Sequence, residues 1–127
     1  MREFKGTPGP WVVDIRGGCV AVYQNGRQKE CDGCHPDDER NIAYSNKGAE
    51  YDRVVGYWSM DKKTIRDFTL MSAAPELLEA LQKMIGCIEY YASLKESDQP
   101  NIEDWAYANN SAEVEMSRAA IAKALGK

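Results

Sequence analysis

From Glu76 to about Leu94 the apolar residues recur at helical spacing, and no other stretch limits the possible folds so sharply. Leu77, Leu81, Met84, Ile85, Ile88 and Tyr91 make one stripe, widened by Leu78, while Glu76, Glu79, Gln82, Lys83 and Glu89 take the other side. A helix so patterned is stable only when the stripe is covered. Pro75 marks its start, because a residue without an amide hydrogen is tolerated in a first turn. The same proline stops any preceding helix from running on, so Ala73-Ala74 reads as a sharp corner. That corner is expected to lay Leu77, Leu81, Ile85 and Ile88 onto a sheet, with Leu81 at the centre. Gly86, mid-helix, costs up to about 1 kcal/mol relative to alanine and suits close approach of another backbone.

The residues before Asp61 carry a different period. Trp11, Val13 and Ile15 alternate with Val12, Asp14 and Arg16, as in a half-buried strand. Gly17-Gly18 is a turn, and Cys19 to Tyr23 a second strand. Asn25-Gly26 is a strong hairpin signal, with Arg27 to Cys31 as a polar return strand. Asn41 to Ser45 and Arg53 to Met60 read as two further strands joined across Asn46-Lys47-Gly48. Beyond them, Asp61 caps a short helix through Met71, with Ile65, Phe68 and Met71 on one face. Pro100 opens a last helical region in which Asn109-Asn110 is a candidate break, since Asn110 and Glu113 have capping-box spacing. Gly126 follows Leu125 as a helix-ending residue. Strands in one block and helices in the next predict an α+β fold, with a small antiparallel sheet in the N-terminal half packed against two or three C-terminal helices. Residues 1–127 are expected to form one domain, with a sheet half at 1–60 and a helical half at 61–127.

Net charge is −4, and its distribution is uneven. Residues 1–70 balance 11 Lys/Arg against 11 Asp/Glu, whereas 71–127 hold 5 against 9. Coating a duplex requires a basic footprint, so general nucleic-acid binding is not expected. Met1 to Gly6 lack the apolar run of a signal peptide, and no segment approaches the roughly 18 apolar residues of a membrane span. The expected location is therefore cytoplasmic, with reduced cysteines.

Two short segments carry a resemblance. Thr7-Pro8-Gly9-Pro10-Trp11 near the N-terminus, followed by Ala73-Ala74-Pro75-Glu76-Leu77-Leu78-Glu79-Ala80-Leu81, resemble a set of small proteins encoded by tailed bacteriophages and prophages. The match covers about 15 residues. It implies a gene carried by a phage and a protein working in the cytoplasm of a bacterial host.

Cys31-Asp32-Gly33-Cys34-His35 is formally the c-type haem attachment pattern, which requires export. Zinc fits better, because Cys31 and Cys34 have the spacing of two thiolates on one tetrahedral ion, with His35 next to them. A structural zinc wants four ligands, however, and no second such pair follows. A redox pair and a plain polar loop are the other readings, the plain loop being the simplest. Asp37-Asp38-Glu39 fit a solvated first turn better than a magnesium site. His35 is the only histidine, and no nucleophile motif or phosphate-binding loop is present, so enzyme is the minority reading.

A non-enzymatic binding protein is the leading expectation, and the phage resemblance turns it toward countering host defence. Two mechanisms compete. Sequestering a small signalling nucleotide would draw on Arg16, Arg27, Lys29 and Arg53 for charge, with Tyr57 or Trp58 for stacking. Direct inhibition of a host defence protein would use the acidic helical half. The alternative is a structural or zinc-stabilised phage accessory protein held by Cys31, Cys34 and His35. The apolar surface of helices 76–94 and 111–125 exceeds what one small sheet covers, which predicts a homo-oligomer.

Overall fold

A computed structural model describes residues 3–28, 40–94 and 102–127. Their order is β1 (Trp11–Arg16), β2 (Cys19–Gln24), β3 (Asn41–Ser45), β4 (Ala49–Asp52), β5 (Tyr57–Met60), α1 (Lys62–Ser72), α2 (Ala74–Ser93), α3 (Ile102–Asn109) and α4 (Ala112–Ala124). The fold is α+β, with antiparallel sheets in the N-terminal half and helices after them. The chain divides into two compact units, residues 6–76 and residues 1–5 with 77–127. The division falls in the first turn of α2, so α1 belongs with the strands.

In the unit of residues 6–76, β1, β2 and β3 form a sheet in that order, both pairs antiparallel. Arg16 pairs with Cys19, leaving Gly17-Gly18 as a two-residue hairpin turn. At the other end, Arg27 N–H donates to Gln24 O at 3.0 Å and closes the Asn25-Gly26 turn. The residues after that turn differ from the sequence reading. Of the expected return strand Arg27 to Cys31, Arg27 and Gln28 extend no strand and the other three residues lie outside the described ones, while β2 takes β3 as its second partner. A register shift between Val22 and Tyr23 lets Ile42 and Ala43 both reach the core. β2 is buried on both faces, from Cys19 through Tyr23.

The core of this unit is Val20, Val22, Met60 and Phe68, edged by Trp11, Val13, Ile42, Ala43 and Ile65. α1 therefore supplies the helical side of the core through Phe68 and Ile65. Leu81, the expected centre of the contact between the longer helix and the sheet, lies in the other unit. α1 follows β5 with only Asp61 between them, so its short face arrives at the sheet directly. The Asp61 carboxylate accepts from Thr64 N–H at 2.7 Å and caps α1, as its position in the sequence predicts. The α1–α2 corner is a single residue, Ala73, whose N–H donates to Leu70 O.

Trp11 Nε1 donates to Thr7 O at 3.0 Å and folds the Thr7–Trp11 segment on itself. A Cβ built at Gly9 would stand 2.7 Å from Pro75 Cβ. The two segments that carry the phage resemblance are thus in contact.

In the helical unit, Ile85 and Val114 are buried, and Tyr91 stacks on Trp105 with centroids 4.9 Å apart. The last helical region is divided. Asn110 N–H and Nδ2 both return to Ala106 O and finish α3, and Ser111 Oγ accepts from Val114 N–H to start α4. The cap is Ser111, one residue after the Asn110 suggested by spacing. Arg118 ties the pieces together, donating to the Asn109 backbone and side-chain oxygens and to Glu115.

Candidate functional site

The most exposed apolar surface of the 6–76 unit lies on the β4–β5 hairpin. Ala49 pairs with Met60, Glu50 with Ser59, Tyr51 with Trp58 and Asp52 with Tyr57. Paired residues and their second neighbours share a face, so Ala49, Tyr51, Trp58 and Met60 lie on one side of the hairpin. The inner end of that face is buried at Met60. Its outer end is the Tyr51–Trp58 pair, with centroids 5.4 Å apart and planes tilted by 51°. Glu50, Asp52, Tyr57 and Ser59 occupy the opposite side.

The tip is set by Asp52. Its Oδ1 accepts from Val54 N–H at 2.8 Å and Val55 N–H at 3.1 Å, and its carbonyl accepts from Gly56 N–H at 2.7 Å. A short polar side chain that captures two amides competes with strand pairing. Residues 53–56 therefore form a turn, where β-branched composition reads as the start of a strand. The consequence is exposure. Val54 is 96% and Val55 60% exposed, with Tyr57 and Trp58 each at 55%. Both adjacent aromatics are half-exposed, whereas strand alternation alone would send only one outward.

The base of the hairpin is clamped. Asp61 N–H donates to Gly48 O at 3.1 Å, and Thr64 Oγ donates to Lys47 O at 3.2 Å. Gly48 has φ +90°, and a Cβ there would lie 2.5 Å from Asp61 Oδ2. Bonding by the Thr64 side chain, then by its amide, holds the Asp61 carboxyl below its ordinary value. The α1 cap thus also closes the hairpin, and it fixes where the aromatic pair stands.

The expected ligand residues are only partly gathered. Arg53 is in the turn of this hairpin, and Tyr57 and Trp58 are on its second strand. Trp58 also covers the Gly17-Gly18 turn, since a Cβ at Gly18 would meet Trp58 Cβ at 3.2 Å. Arg16 borders that turn, but its Nε is 2.7 Å from Asp14 Oδ2 and its guanidinium lies 5.9 Å from the Tyr23 ring centroid. Arg27 sits past the other end of β2, about 20 Å along the strand. Lys29, Cys31, Cys34 and His35 lie outside the described residues, as do Asp37, Asp38 and Glu39. Among the described residues, no group of three or more His, Cys, Asp or Glu is placed to hold a metal ion. Of the other cysteines, Cys19 is buried and Cys87 exposed. Val54 and Val55 are surface residues that the sequence pattern assigned to a strand. The signal for their turn was Asp52 four residues before Gly56.

The β4–β5 surface presents flat amphipathic rings, two exposed aliphatic side chains and one adjacent guanidinium. No helix among the described residues is long and apolar enough to cross a membrane.

The whole chain matches a family of small phage proteins. It belongs to the family described as Salmonella phage P22 protein Y8K6, whose model matches residues 1–127. No curated protein and no solved structure matches it.

Proposed function

We propose that the protein is a phage-encoded binding protein that counters host defence by docking on a host protein through the β4–β5 hairpin. The observation that carries the docking reading is the exposure of Tyr51, Val54, Val55, Tyr57 and Trp58 on one short, clamped hairpin. Exposed apolar residues grouped in this way mark interaction surfaces, and aromatic anchors dominate binding energy where they are covered. The turn toward host defence rests on membership of the phage family. Nucleotide sequestration draws on the same hairpin, through Arg53, Tyr57 and Trp58, and has less support because Arg16 is engaged by Asp14 and Arg27 stands a strand length away.

The test is plating efficiency of a defence-sensitive phage on hosts carrying a panel of defence systems, with and without this protein. Protection by the parent and its loss in Val54→Asp/Trp58→Ala, with the circular dichroism spectrum unchanged, is the expected result. Equal protection by the double variant would remove the hairpin from the mechanism. No protection in any host would leave the structural or zinc-stabilised accessory reading in its place. Heat on titration with cyclic dinucleotides, cyclic trinucleotides or cyclic ADP-ribose isomers would favour sequestration. Self-association through helices 76–94 and 111–125 belongs to the same proposal, supported by the exposure of Leu77, Met84 and Met116. Light scattering should give a mass above the 14.2 kDa of one chain, and a monomeric mass at micromolar concentration would remove it.

A further inference from the structure

A labile position lies in the turn after β2. Asn25 and Gly26 are both exposed, in a turn closed by Arg27 N–H on Gln24 O at 3.0 Å. Gly26 has φ +85°, and a Cβ there would meet nothing within 4 Å. The Asn25 backbone is anchored, its N–H donating to Pro10 O at 2.9 Å. Its side-chain amide has no hydrogen-bond partner among the described residues. The Gly26 N–H donates to Gln28 Oε1 at 2.9 Å, a neutral acceptor that water can replace. A carboxamide carbon that is free to turn therefore stands beside a backbone nitrogen with no side chain to shield it.

The other described asparagines are held or shielded. Arg118 donates to both Oδ1 and the main-chain oxygen of Asn109, and Asn110 Nδ2 donates to Ala106 O at 3.0 Å. Asn41 lies in β3 and precedes the β-branched Ile42. Asn46 precedes Lys47, whose N–H donates to Ser45 Oγ at 3.0 Å. Asn101 lies outside the described residues.

We infer that Asn25 is a modification site, at which the chain deamidates without an enzyme. Gly26 N gives its proton to base and bonds to Asn25 Cγ. The Cγ–Nδ2 bond breaks, and Nδ2 takes up a proton and leaves as ammonia. Water then opens the cyclic imide. Opening at Cγ gives aspartate, whereas opening at the main-chain carbonyl of residue 25 gives isoaspartate, with the main chain rerouted through Cβ and Cγ. No oxidant or reductant enters, and either product adds one negative charge to the net −4. Isoaspartate also lengthens the main chain by one carbon. The Gln24–Arg27 closure is then lost, next to the Trp11–Gln24 pair that ends the β1–β2 ladder.

The experiment ages the full chain in neutral and in mildly alkaline buffer. Peptide mapping by mass spectrometry with electron-transfer fragmentation separates isoaspartate from aspartate. The acid should appear at Asn25 before any other asparagine, as a mixture of the two products, and faster in the alkaline buffer. Gly26→Ala, whose methyl has open space, should slow conversion about tenfold or more while the circular dichroism spectrum stays that of the parent. An intact Asn25 at the end of the incubation would overturn the proposal, as would earlier conversion of another asparagine. An unchanged rate in Gly26→Ala, or aspartate without isoaspartate, would equally overturn it. Should Gly26→Ala fail to fold, the order of conversion and the isoaspartate formed in the parent still decide.

Discussion

At the scale of single residues, the tightest spot in the 6–76 unit is Gly48 against Asp61. Gly48 and Gly26 have nearly the same left-handed backbone, φ +90° and +85°, but a Cβ at Gly26 would meet nothing within 4 Å. Gly26→Ala should therefore cost only the left-handed penalty, about 1–2 kcal/mol. Gly48→Ala should cost more, because Asp61 must leave its place and release Thr64 N–H. Chemical denaturation of the two variants measures the difference, and equal midpoints would show that the Asp61 contact is slack. Asp61 also carries a pH signature. Its folded-state carboxyl is held below its ordinary value, so the stability it adds is complete above the unfolded value and fades as pH falls through the folded one. Asp61→Asn should lower stability at neutral pH and converge with the parent in acid. Parallel curves for the two proteins down to the acid limb would contradict this.

At the scale of elements, caps and corners set the boundaries. Ser111→Ala removes the oxygen that receives Val114 N–H and should destabilise the helical unit by about 1 kcal/mol. Hydrogen exchange should quicken first at the start of α4. The contact between the Thr7–Trp11 segment and the α1–α2 corner makes a sharper case. Gly9→Ala puts a methyl 2.7 Å from Pro75 Cβ, in a ring that cannot rotate away. Overpacking of this kind costs roughly 1–3 kcal/mol. In a Pro75→Gly background the same change should cost less, and a double-mutant cycle reads the coupling directly. A coupling energy of zero would mean that the segment does not rest on Pro75.

At the scale of the whole molecule, the 6–76 unit has a core built of its own residues. Phe68→Ala should cost about 3–5 kcal/mol, since Phe68 closes the core formed with Val20, Val22 and Met60. Leu77→Ala, at an exposed position, should stay near 0.5 kcal/mol. Within the 6–76 unit the amides of β2 should exchange slowest, because that strand is paired on both edges and buried on both faces. Faster exchange in β2 than in β1 would put the core elsewhere.

The sequence by itself determined what depends on neighbours in the chain. Period-two alternation placed β1 and β2, the helical stripe placed α2, Asp61 placed a cap, and Pro75 forced a corner after Ser72. The α+β class follows from those local signals. Where a side chain could choose between partners, local reading stopped short. Val54 and Val55 have strand composition, yet Asp52 takes their amides and turns them into solvent. The stripe of α1 is shorter than that of α2, yet Phe68 and Ile65 join the sheet core because β5 leads straight into α1. Only the tertiary structure settled these points, because each is a competition among contacts that the order of residues lists without ranking.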